Sequence, residues 1–320
     1  MGKIQVQKNR LIRLWDPSEI TYLISEYGSG VKLTKIARAL GRSKASCHSK
    51  VCELKVEGTI PSGREREFHN DDPNKFTPAP ERKFTDFIKV YGDVICISDV
   101  HIPFWHRKLF EYVLAIAVKF KIKTLIINGD FLNLDSFSRW VSGFKGKEDT
   151  MLELKTASFF LIKALKVFSK IYITQGNHED RLLRQLEGQI PNSVWFRMLH
   201  EEVGKRIIVS DYPYIQVNDS WKIVHPKNYG GIGGKIPSEI ADCEGMNIIS
   251  GHNHQFGIAV SKNGKYVGID HGCSCDPEQI EYYNYSVTTG RKWQPGFSMI
   301  RNNKGYAFSL NHTDWDFWLK

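Results

Sequence analysis

The first sixty residues place apolar side chains three or four positions apart, which is the spacing of amphipathic helices. Asp16, Pro17 and Glu19 together have the composition of a helix N-terminus, with Asp16 as the capping residue. Gly41 is expected to end a second helical segment, as glycine commonly does. The pattern therefore predicts three short helices, which begin at Pro17, Leu33 and Ser43.

After residue 90 the pattern changes to short continuous apolar runs, which are typical of strands buried on both faces. Three such runs alternate with two amphipathic helical segments, so we expect an α/β domain whose first sheet is parallel or mixed. The strands are predicted at 94–98, 124–127 and 171–174, and the helices at 108–120 and 152–168.

Beyond residue 205 the apolar runs are shorter, and some of them alternate with polar positions. This texture predicts a second, largely antiparallel sheet. Its strands are expected at 207–209, 221–224, 248–250, 257–260, 266–269, 297–300 and 306–310.

Residues 60–86 interrupt both patterns. They contain four prolines and a run of charged and polar side chains, with few apolar residues and no periodicity. Such a composition predicts a linker that its prolines make semi-stiff. We therefore expect a helical domain over 1–59, a linker over 60–86 and a larger domain over 87–320.

Positive charge is concentrated at the N-terminus of the chain. The formal net charge is +9, and residues 1–60 carry +6 of it, since eleven lysines and arginines stand there against five acidic residues. A compact basic domain favours a polyanionic partner, and a solvated basic surface is the alternative interpretation.

Three short helices with a tight glycine turn before the third form a helix-turn-helix pattern. Residues 33–43 resemble the helix-turn-helix core of Myb-like and homeodomain-like modules, and Trp15 is similar to the first-helix tryptophan of Myb repeats. The resemblance implies that the third helix enters the DNA major groove, so DNA is the expected partner. A three-helix module that docks a protein is the alternative. The predicted DNA contacts are Arg42, Lys44, His48, Ser49 and Lys50.

Polar side chains that commonly bind metals follow the apolar runs of the second domain. The ends of strands are where open α/β sheets place their functional sites. Carboxylate, imidazole and amide oxygen ligands suit zinc, iron and manganese, and the lack of a thiolate argues against a structural zinc site. The residues are Asp99, His101, Asp130, Asn177, His178, His225, His252 and His254.

Spacing within two of these motifs supports a common site. Asp99 and His101 are separated by one residue, as are His252 and His254. In an extended segment, residues i and i+2 point to the same side. Both members of each pair are therefore expected to reach one metal cluster.

The ordered series Asp99-x-His101, Gly129-Asp130, Gly176-Asn177-His178-Glu179, His225 and Gly251-His252-Asn253-His254 resembles the calcineurin-like metallophosphoesterases. The resemblance covers about residues 92–310, and Asp270-His271-Gly272-Cys273 is similar to bacteriophage and bacterial members. It implies a four-layer αββα sandwich with a two-metal site, preceded here by the small N-terminal tri-helical domain.

The resemblance also implies a hydrolase that binds two divalent metal ions. We expect Mn²⁺, with iron, zinc, nickel and magnesium as alternatives. In such sites a metal-activated hydroxide attacks phosphorus, and the histidine of the GNH motif, here His178, protonates the leaving group. Arg139 and Arg181 are candidates for binding the phosphoryl group. The implied ligands are Asp99, His101 and His254 for one metal, Asn177, His225 and His252 for the other, and Asp130 as the bridge.

One departure from the family pattern concerns the orientation of His178. Many relatives carry an aspartate where this chain has Asn133, and that aspartate orients the catalytic histidine. Asn133 accepts a hydrogen bond, but it lacks the charge that stabilises an imidazolium. Asp135 is the alternative partner. A second departure is Pro226, which follows His225 where relatives often have glycine.

These features together predict a metal-dependent phosphodiesterase that acts on DNA as a nuclease. One alternative is a phosphatase or phosphodiesterase for nucleotides or phosphoprotein, with the N-terminal domain as an anchor. Another is a DNA-binding regulator whose phosphoesterase domain is only a scaffold. The chain begins without the apolar core of a signal peptide, its six cysteines form no CxxC pair, and it has no run of ~20 apolar residues, so we expect a cytoplasmic protein with no membrane partner.

Overall fold

The structure is a computed structural model of the 320-residue chain. It describes residues 4–7, 10–60, 87–138, 149–185, 194, 196, 205–285 and 293–320. The chain divides into two compact units, Met1–Glu81 and Arg82–Lys320. Most of the predicted linker, residues 61–86, and the candidate Arg139 lie outside the described residues.

All three helices predicted for the N-terminal unit are present. An antiparallel pair of strands that the sequence pattern did not predict precedes them. Its strands are β1 (Ile4–Gln7) and β2 (Arg10–Arg13). The helices are α1 (Pro17–Gly28), α2 (Leu33–Ala39) and α3 (Lys44–Val56).

Local sequence explains where these helices begin. Asp16 accepts a hydrogen bond from the backbone of Ser18, and Glu19 reaches back to the Asp16 backbone, which completes a capping box. The Ser43 side chain caps α3 by accepting a hydrogen bond from the backbone nitrogen of Ser46 at 3.1 Å. The apolar faces of the three helices then form one core, which contains Leu23, Ile36, Ala37, Cys47, Val51, Leu54 and Ile60.

The first sheet of the second unit has six strands and is mixed, as predicted. Four parallel neighbours stand at its centre and one edge, and an antiparallel hairpin completes the other edge. Its strands in chain order are β4 (Val94–Ile97), β5 (Thr124–Asn128), β6 (Lys170–Thr174), β7 (Ile207–Val209), β13 (Gly296–Arg301) and β14 (Lys304–Ser309).

The second sheet also has six strands, and the prediction that it is largely antiparallel is wrong. Three of its strand pairs are parallel and two are antiparallel. Three strands expected there, β7, β13 and β14, belong to the first sheet instead. Its strands are β3 (Lys89–Val90), β8 (Tyr214–Val217), β9 (Trp221–Val224), β10 (Asn247–Ser250), β11 (Phe256–Val260) and β12 (Val267–His271).

Helices cover the outer faces of both sheets. The second predicted helix, 152–168, is shifted in the structure, where it begins at Thr150 and ends at Ala164, and residues 165–167 form turns. The helices are α4 (Arg107–Lys119), α5 (Thr150–Ala164), α6 (Glu179–Gln185), α7 (Lys235–Glu244), α8 (Glu281–Tyr285) and α9 (Trp315–Leu319).

Alternation along β4 shows how the layers form. Ile95 and Ile97 belong to the core shared with α4 and α5, whereas Val94 and Cys96 belong to the core between the two sheets. Side chains of a strand point alternately to its two faces, so one strand contributes to both cores. On the far side, Ala241 of α7 packs with residues of the second sheet. The predicted four-layer αββα sandwich is therefore confirmed.

Within the described residues, the longest helices are too short or too polar to cross a membrane.

Candidate metal centre

Polar side chains gather where the strands end, and their backbone is not extended there. Asp99, His101, Asp130, His252 and His254 have positive φ angles between 46° and 73°. Non-glycine residues adopt this left-handed region at a cost, and such residues cluster at functional sites. Asp99 and His101 do reach one cluster, whereas His252 and His254 reach two neighbouring clusters. The argument from an extended segment is wrong, because left-handed backbone rather than a pleated strand orients these side chains.

The first cluster contains the residues predicted for one metal. Oδ1 of Asp99 lies 2.8 Å from Nε2 of His254. Nε2 of His101 lies 3.3 Å from the same His254 nitrogen. All three residues are buried, and one ligand atom of each lies within 4.8 Å of the others.

The second cluster contains Asp130, His225 and His252, again with ligand atoms within 4.8 Å of one another. Nε2 of His225 lies 3.4 Å from Oδ2 of Asp130 and 3.2 Å from Oδ1 of Asn177. The other ring nitrogen of His225 donates to the backbone oxygen of Asn128 at 2.8 Å. Since metal-binding histidines usually donate their second N–H to a carbonyl or carboxylate, this bond suits a ligand.

Asp130 stands between the two clusters. It also forms a third group with His101 and His178, whose ligand atoms meet the same distance limit. Its Oδ1 accepts a hydrogen bond from the backbone nitrogen of His178 at 2.8 Å. Asp130 thus lies beside His101 of the first cluster and within the second cluster, and its role as a bridging ligand stays a prediction.

Two glycines of the motifs are required by close packing at the site. A Cβ on Gly129, whose φ is +71°, would overlap the ring of His225. A Cβ on Gly251 would lie 2.6 Å from Oγ of Ser98 and 2.8 Å from Oδ2 of Asp99. Since real Cβ atoms do not approach neighbours this closely, only glycine lets the strand ends come together.

Protonation in the cluster suits metal ligands at Asp99, Asp130, His101 and His252, whereas His225 favours the charged imidazolium, whose proton a metal ion would have to displace. Burial opposes ionisation of Asp99 and Asp130, yet neighbouring histidines hold the pKa of each carboxyl below its ordinary value. Burial lowers the pKa of His101 well below its ordinary value and also lowers that of His252. Burial opposes the charged form of His225 too, but Asp130 beside it raises that pKa to about 10.

The donor set fits divalent metal ions. Two buried carboxylates would be costly in the interior without positive charge beside them. At His225, Nδ1 uses its hydrogen on Asn128, and the acceptor oxygens of Asp130 and Asn177 both face Nε2. A cation among these atoms satisfies all three. Imidazole and carboxylate ligands without thiolate suit manganese, iron, nickel and zinc.

Hydrogen bonds fix the orientation of His178. Its Nδ1 lies 2.6 Å from the backbone oxygen of Asn133, and a carbonyl only accepts, so Nδ1 carries the hydrogen. Nη2 of Arg181 donates to Nε2 at 2.9 Å. Burial lowers the pKa of His178 to about 4, so the ring is neutral here. Neither predicted side-chain partner orients this histidine, since Asp135 faces Arg181 instead, at 3.9 Å.

Cavities open on both sides of the clusters. One of about 240 Å³ is lined by Asn177, His225 and Lys227. Another of about 970 Å³ is lined by Trp293 and Tyr283. The Trp293 ring meets the His254 ring edge-on, with centroids 3.8 Å apart. There is therefore room for substrate groups beyond the phosphoryl group itself.

Three buried residues next to the site were not identified from the sequence. Glu179, quoted only as part of its motif, accepts from the backbone nitrogens of Asp130, Leu132 and Gly176 at 2.9–3.1 Å and so joins two strand ends. Burial raises its pKa and that of Glu153 to about 7. His271, also quoted only as part of its motif, contacts Ser98. For Glu153, the sequence did carry a signal, because an acidic residue stands among apolar residues on the inward face of its helix.

The predicted DNA contacts in the N-terminal unit fall into two groups. Lys44, His48 and Ser49 are exposed on α3, as expected. Arg42 is not exposed: its side chain is 5% accessible and binds Glu19 at 2.7 Å. Lys50 is 13% accessible and pairs with Glu53 at 2.6 Å. The outward orientation expected for Lys50 is therefore wrong, because an acidic neighbour one turn away holds its ammonium group.

Clusters of aspartate and histidine at the strand ends of an αββα sandwich are the arrangement of a metal-dependent hydrolase. The sequence match to the calcineurin-like phosphoesterase family spans residues 92–256, slightly more than half of the chain. The chain belongs to the calcineurin-like phosphoesterase family.

Solved structures with a similar chain trace include Vps29 from three organisms. Chaetomium thermophilum Vps29 is 10% identical, covers 65% of this chain and 83% of its own, and has a TM-score of 0.35. A single mutant of Entamoeba histolytica Vps29 is 11% identical over 69% and 93% of the two chains, with a TM-score of 0.36. Vacuolar Protein Sorting 29 of Cryptosporidium parvum is 14% identical over 67% and 94%, with a TM-score of 0.34. No curated protein matches the chain.

Proposed function

We propose that this phosphoesterase is a phosphodiesterase that cleaves DNA, with the N-terminal unit binding the polyanion. The observation that supports it most is the presence in one chain of the buried Asp/His clusters and a helical unit with exposed cations. Lys35 and Arg38 of α2 and Lys44 of α3 are exposed, together with His48 and Ser49. Positive charge on one small unit is the electrostatic pattern of nucleic-acid binding.

In this proposal, divalent ions would supply a nucleophile at neutral pH and neutralise charge on the phosphoryl oxygens. Asp99, His101 and His254 would hold one ion, Asn177, His225 and His252 would hold the other, and Asp130 lies beside both groups. His178 acts as the general acid in its protonated form. Because Nδ1 holds its hydrogen on a carbonyl, Nε2 is the nitrogen that takes up a second proton from solvent, passes it to the leaving oxygen and returns to the neutral state.

Arg181 is the remaining cation beside His178. Its Nη1 donates to the backbone oxygen of Asn133 at 3.0 Å, while Nη2 contacts His178. This guanidinium is thus held beside the nitrogen that faces the leaving group. We assign it to binding a phosphoryl oxygen, since a fixed guanidinium suits phosphate oxygens.

The test compares substrates with the full chain and added Mn²⁺. An aryl phosphodiester, an aryl phosphomonoester and linear single- and double-stranded DNA are offered, and we expect the diester and DNA to be cleaved. Asn177→Ala and His254→Ala should reduce hydrolysis to background while DNA binding persists. His312→Ala, an exposed histidine, is the control and should retain activity. Turnover of the monoester with intact DNA would contradict the proposal.

A second candidate is supported by the pairing of Arg42 and Lys50 within their own unit. With two predicted contacts occupied, the unit has fewer charges for DNA and would serve as an anchor, while the phosphoesterase acts on nucleotides or phosphoprotein. Charge removal on α2 and α3 separates the candidates. It should reduce cleavage of long DNA under the first proposal and leave turnover of a nucleotide diester unchanged under both.

A further inference from the structure

Glu153 is a buried carboxylate on a helix whose other inward residues are apolar. It is 1% exposed, and its neighbours on the same face of α5 are Ala157, Phe160, Leu161 and Ala164. Burying a carboxylate is unfavourable unless a hydrogen bond or a charge compensates. Packing alone would place an apolar side chain here, so the carboxylate must serve another group.

That group is the peptide bond between Asn133 and Leu134. The Leu134 nitrogen donates to Oε1 of Glu153 at 2.7 Å. The carbonyl oxygen of the same peptide accepts from Nδ1 of His178 at 2.6 Å and from Nη1 of Arg181 at 3.0 Å. One peptide therefore joins the carboxylate to the imidazole, because its N–H donates to Glu153 and its carbonyl oxygen accepts from His178.

The backbone at this peptide is held in an unfavourable conformation. Leu134 has a φ of 47°, in the left-handed region that residues other than glycine rarely adopt. Such a conformation persists only where the surroundings hold it. The Glu153 hydrogen bond is one of the contacts that hold it, and it acts on the peptide that orients His178.

No side chain among the described residues supplies a carboxylate to His178 Nδ1 directly. Asn133 occupies the position of the family's aspartate, and its own Oδ1 is buried without a hydrogen-bond partner in the described part of the chain. Asp135 lies 3.9 Å from Nη1 of Arg181. The nearest carboxylate in the hydrogen-bond chain from Nδ1 is Glu153.

We propose that Glu153 is a positioning residue for catalysis, which acts on His178 through the Asn133–Leu134 peptide and replaces the aspartate that this chain lacks at position 133. A carboxylate that accepts from the peptide N–H polarises the carbonyl and strengthens its bond to Nδ1–H. The ring is then held with Nε2 towards the leaving group. The inference rests on the proposed role of His178 as general acid.

The first test uses leaving groups that differ in their need for a proton. Phenyl and p-nitrophenyl esters of one phosphodiester are compared in the full chain with Mn²⁺, because nitrophenolate leaves without protonation. Glu153→Ala should lose at least about 10-fold in kcat on the phenyl ester and less than about 3-fold on the nitrophenyl ester. Glu153→Gln, which keeps an acceptor oxygen, should recover part of the loss. Glu111→Gln, an exposed helical glutamate, is the matched control.

His178→Ala separates failure of this inference from failure of the proposed mechanism. If His178→Ala is equally slow on both esters, the general-acid role is wrong. If His178→Ala loses more activity on the phenyl ester than on the nitrophenyl ester and Glu153→Ala does not, Glu153 has no positioning role. If Glu153 acts only through His178, the variant that carries both Glu153→Ala and His178→Ala should be no slower than His178→Ala alone.

A second measurement does not depend on turnover. The ¹⁵N NMR signals of the His178 ring in the metal-free full chain report which nitrogen carries the hydrogen. We expect the Nδ1–H tautomer in the natural protein and a larger Nε2–H fraction in Glu153→Ala. An unchanged tautomer in a folded variant would overturn the inference. If Glu153→Ala does not fold, Glu153→Asp, which withdraws the carboxylate by one methylene, is measured instead and should shift in the same direction.

Discussion

Asp99 depends on side chains that lie outside its own motif. The Ser98 hydroxyl donates to Oδ2 of Asp99, and Nε2 of His271 lies 2.8 Å from the Ser98 oxygen. Nδ1 of His271 lies 2.9 Å from Oγ of Ser298. All of these residues are buried, so the chain of hydrogen bonds links the two sheets behind the first cluster. Partners of this kind orient metal ligands and tune their basicity.

Replacing His271 should therefore weaken metal binding without removing a ligand. We expect His271→Ala to lower the affinity for Mn²⁺ at the first cluster by about 10–100-fold, because Ser98 loses the partner that fixes its hydroxyl. Calorimetric titration of the metal-free protein measures the affinity. His312→Ala should bind like the natural chain. An unaltered affinity in folded His271→Ala would show that His271 has no part in orienting Asp99.

Backbone groups explain why part of the site could not be predicted. The ligands were identifiable because carboxylates and imidazoles follow predictable strands. The partner of His178 is a carbonyl oxygen, which every residue possesses, so no sequence pattern marks Asn133 for this role. The interaction of Glu153 depends on a left-handed Leu134, and single-residue conformations of this kind are set by tertiary contacts.

At the level of elements, the pattern of apolar residues predicted where strands lie better than it predicted which strands pair. The apolar runs at 297–300 and 306–310 do correspond to strands, β13 and β14, but β13 pairs with β4, some two hundred residues earlier. Such pairing depends on long-range packing that alternation does not encode. The helix α7 was missed, because Gly233 and Gly234 before it and Pro237 within it are signals of a loop. In the structure, Gly233 instead allows close contact with the backbone of Phe256.

Arg42 lies in the turn before α3, and its side chain contacts several other parts of the N-terminal unit. Besides its ion pair with Glu19, its guanidinium donates to the backbone oxygens of Leu14 at 2.7 Å and Arg13 at 3.1 Å. It also lies 4.1 Å from the centroid of the Trp15 ring. These contacts join the start of α1 to the turn before α3, so Arg42 supports the unit from within.

We expect Arg42→Ala to destabilise the N-terminal unit by about 2–3 kcal/mol, because several charge-assisted hydrogen bonds are lost together. Exposed Lys44→Ala should change stability by less than about 0.5 kcal/mol. Hydrogen exchange of the α1 and α3 amides in the full chain measures both. Equal protection in the two variants would contradict a structural role for Arg42.

The same ion pair predicts a pH dependence. The Arg42 hydrogen bond is the largest influence on Glu19 and lowers its pKa below the ordinary value. A depressed carboxyl pKa stabilises the folded state above the ordinary glutamate range, and this stabilisation is lost as the pH falls through the folded value. The difference in stability of the N-terminal unit between Arg42→Ala and the natural chain should therefore become smaller as the pH falls below the ordinary glutamate range. The same hydrogen-exchange measurement, repeated at lower pH, checks this.

At the scale of the whole molecule, the assignment of DNA as substrate depends on how the chain binds it. A family of phosphoesterases defines the chemistry, but the substrate is defined by surfaces outside the metal clusters. Contacts to phosphates release counterions, so the logarithm of the binding constant falls with the logarithm of salt concentration by ~0.9 for each phosphate neutralised on duplex DNA. The slope of this salt dependence thus counts the contacts to phosphates, which a measurement of hydrolysis does not reveal.

The full chain should bind duplex DNA without metal, with a steep salt dependence. The triple variant of Lys35, Arg38 and Lys44 to alanine should reduce the slope by up to about three, roughly one for each phosphate contact. The matched control replaces Lys262, Lys265 and Lys304, three exposed lysines of the phosphoesterase unit. An equal slope in both triple variants would mean that α2 and α3 do not contact phosphates. In that case the N-terminal unit is an anchor for another partner, and DNA cleavage would have to depend on the phosphoesterase unit alone.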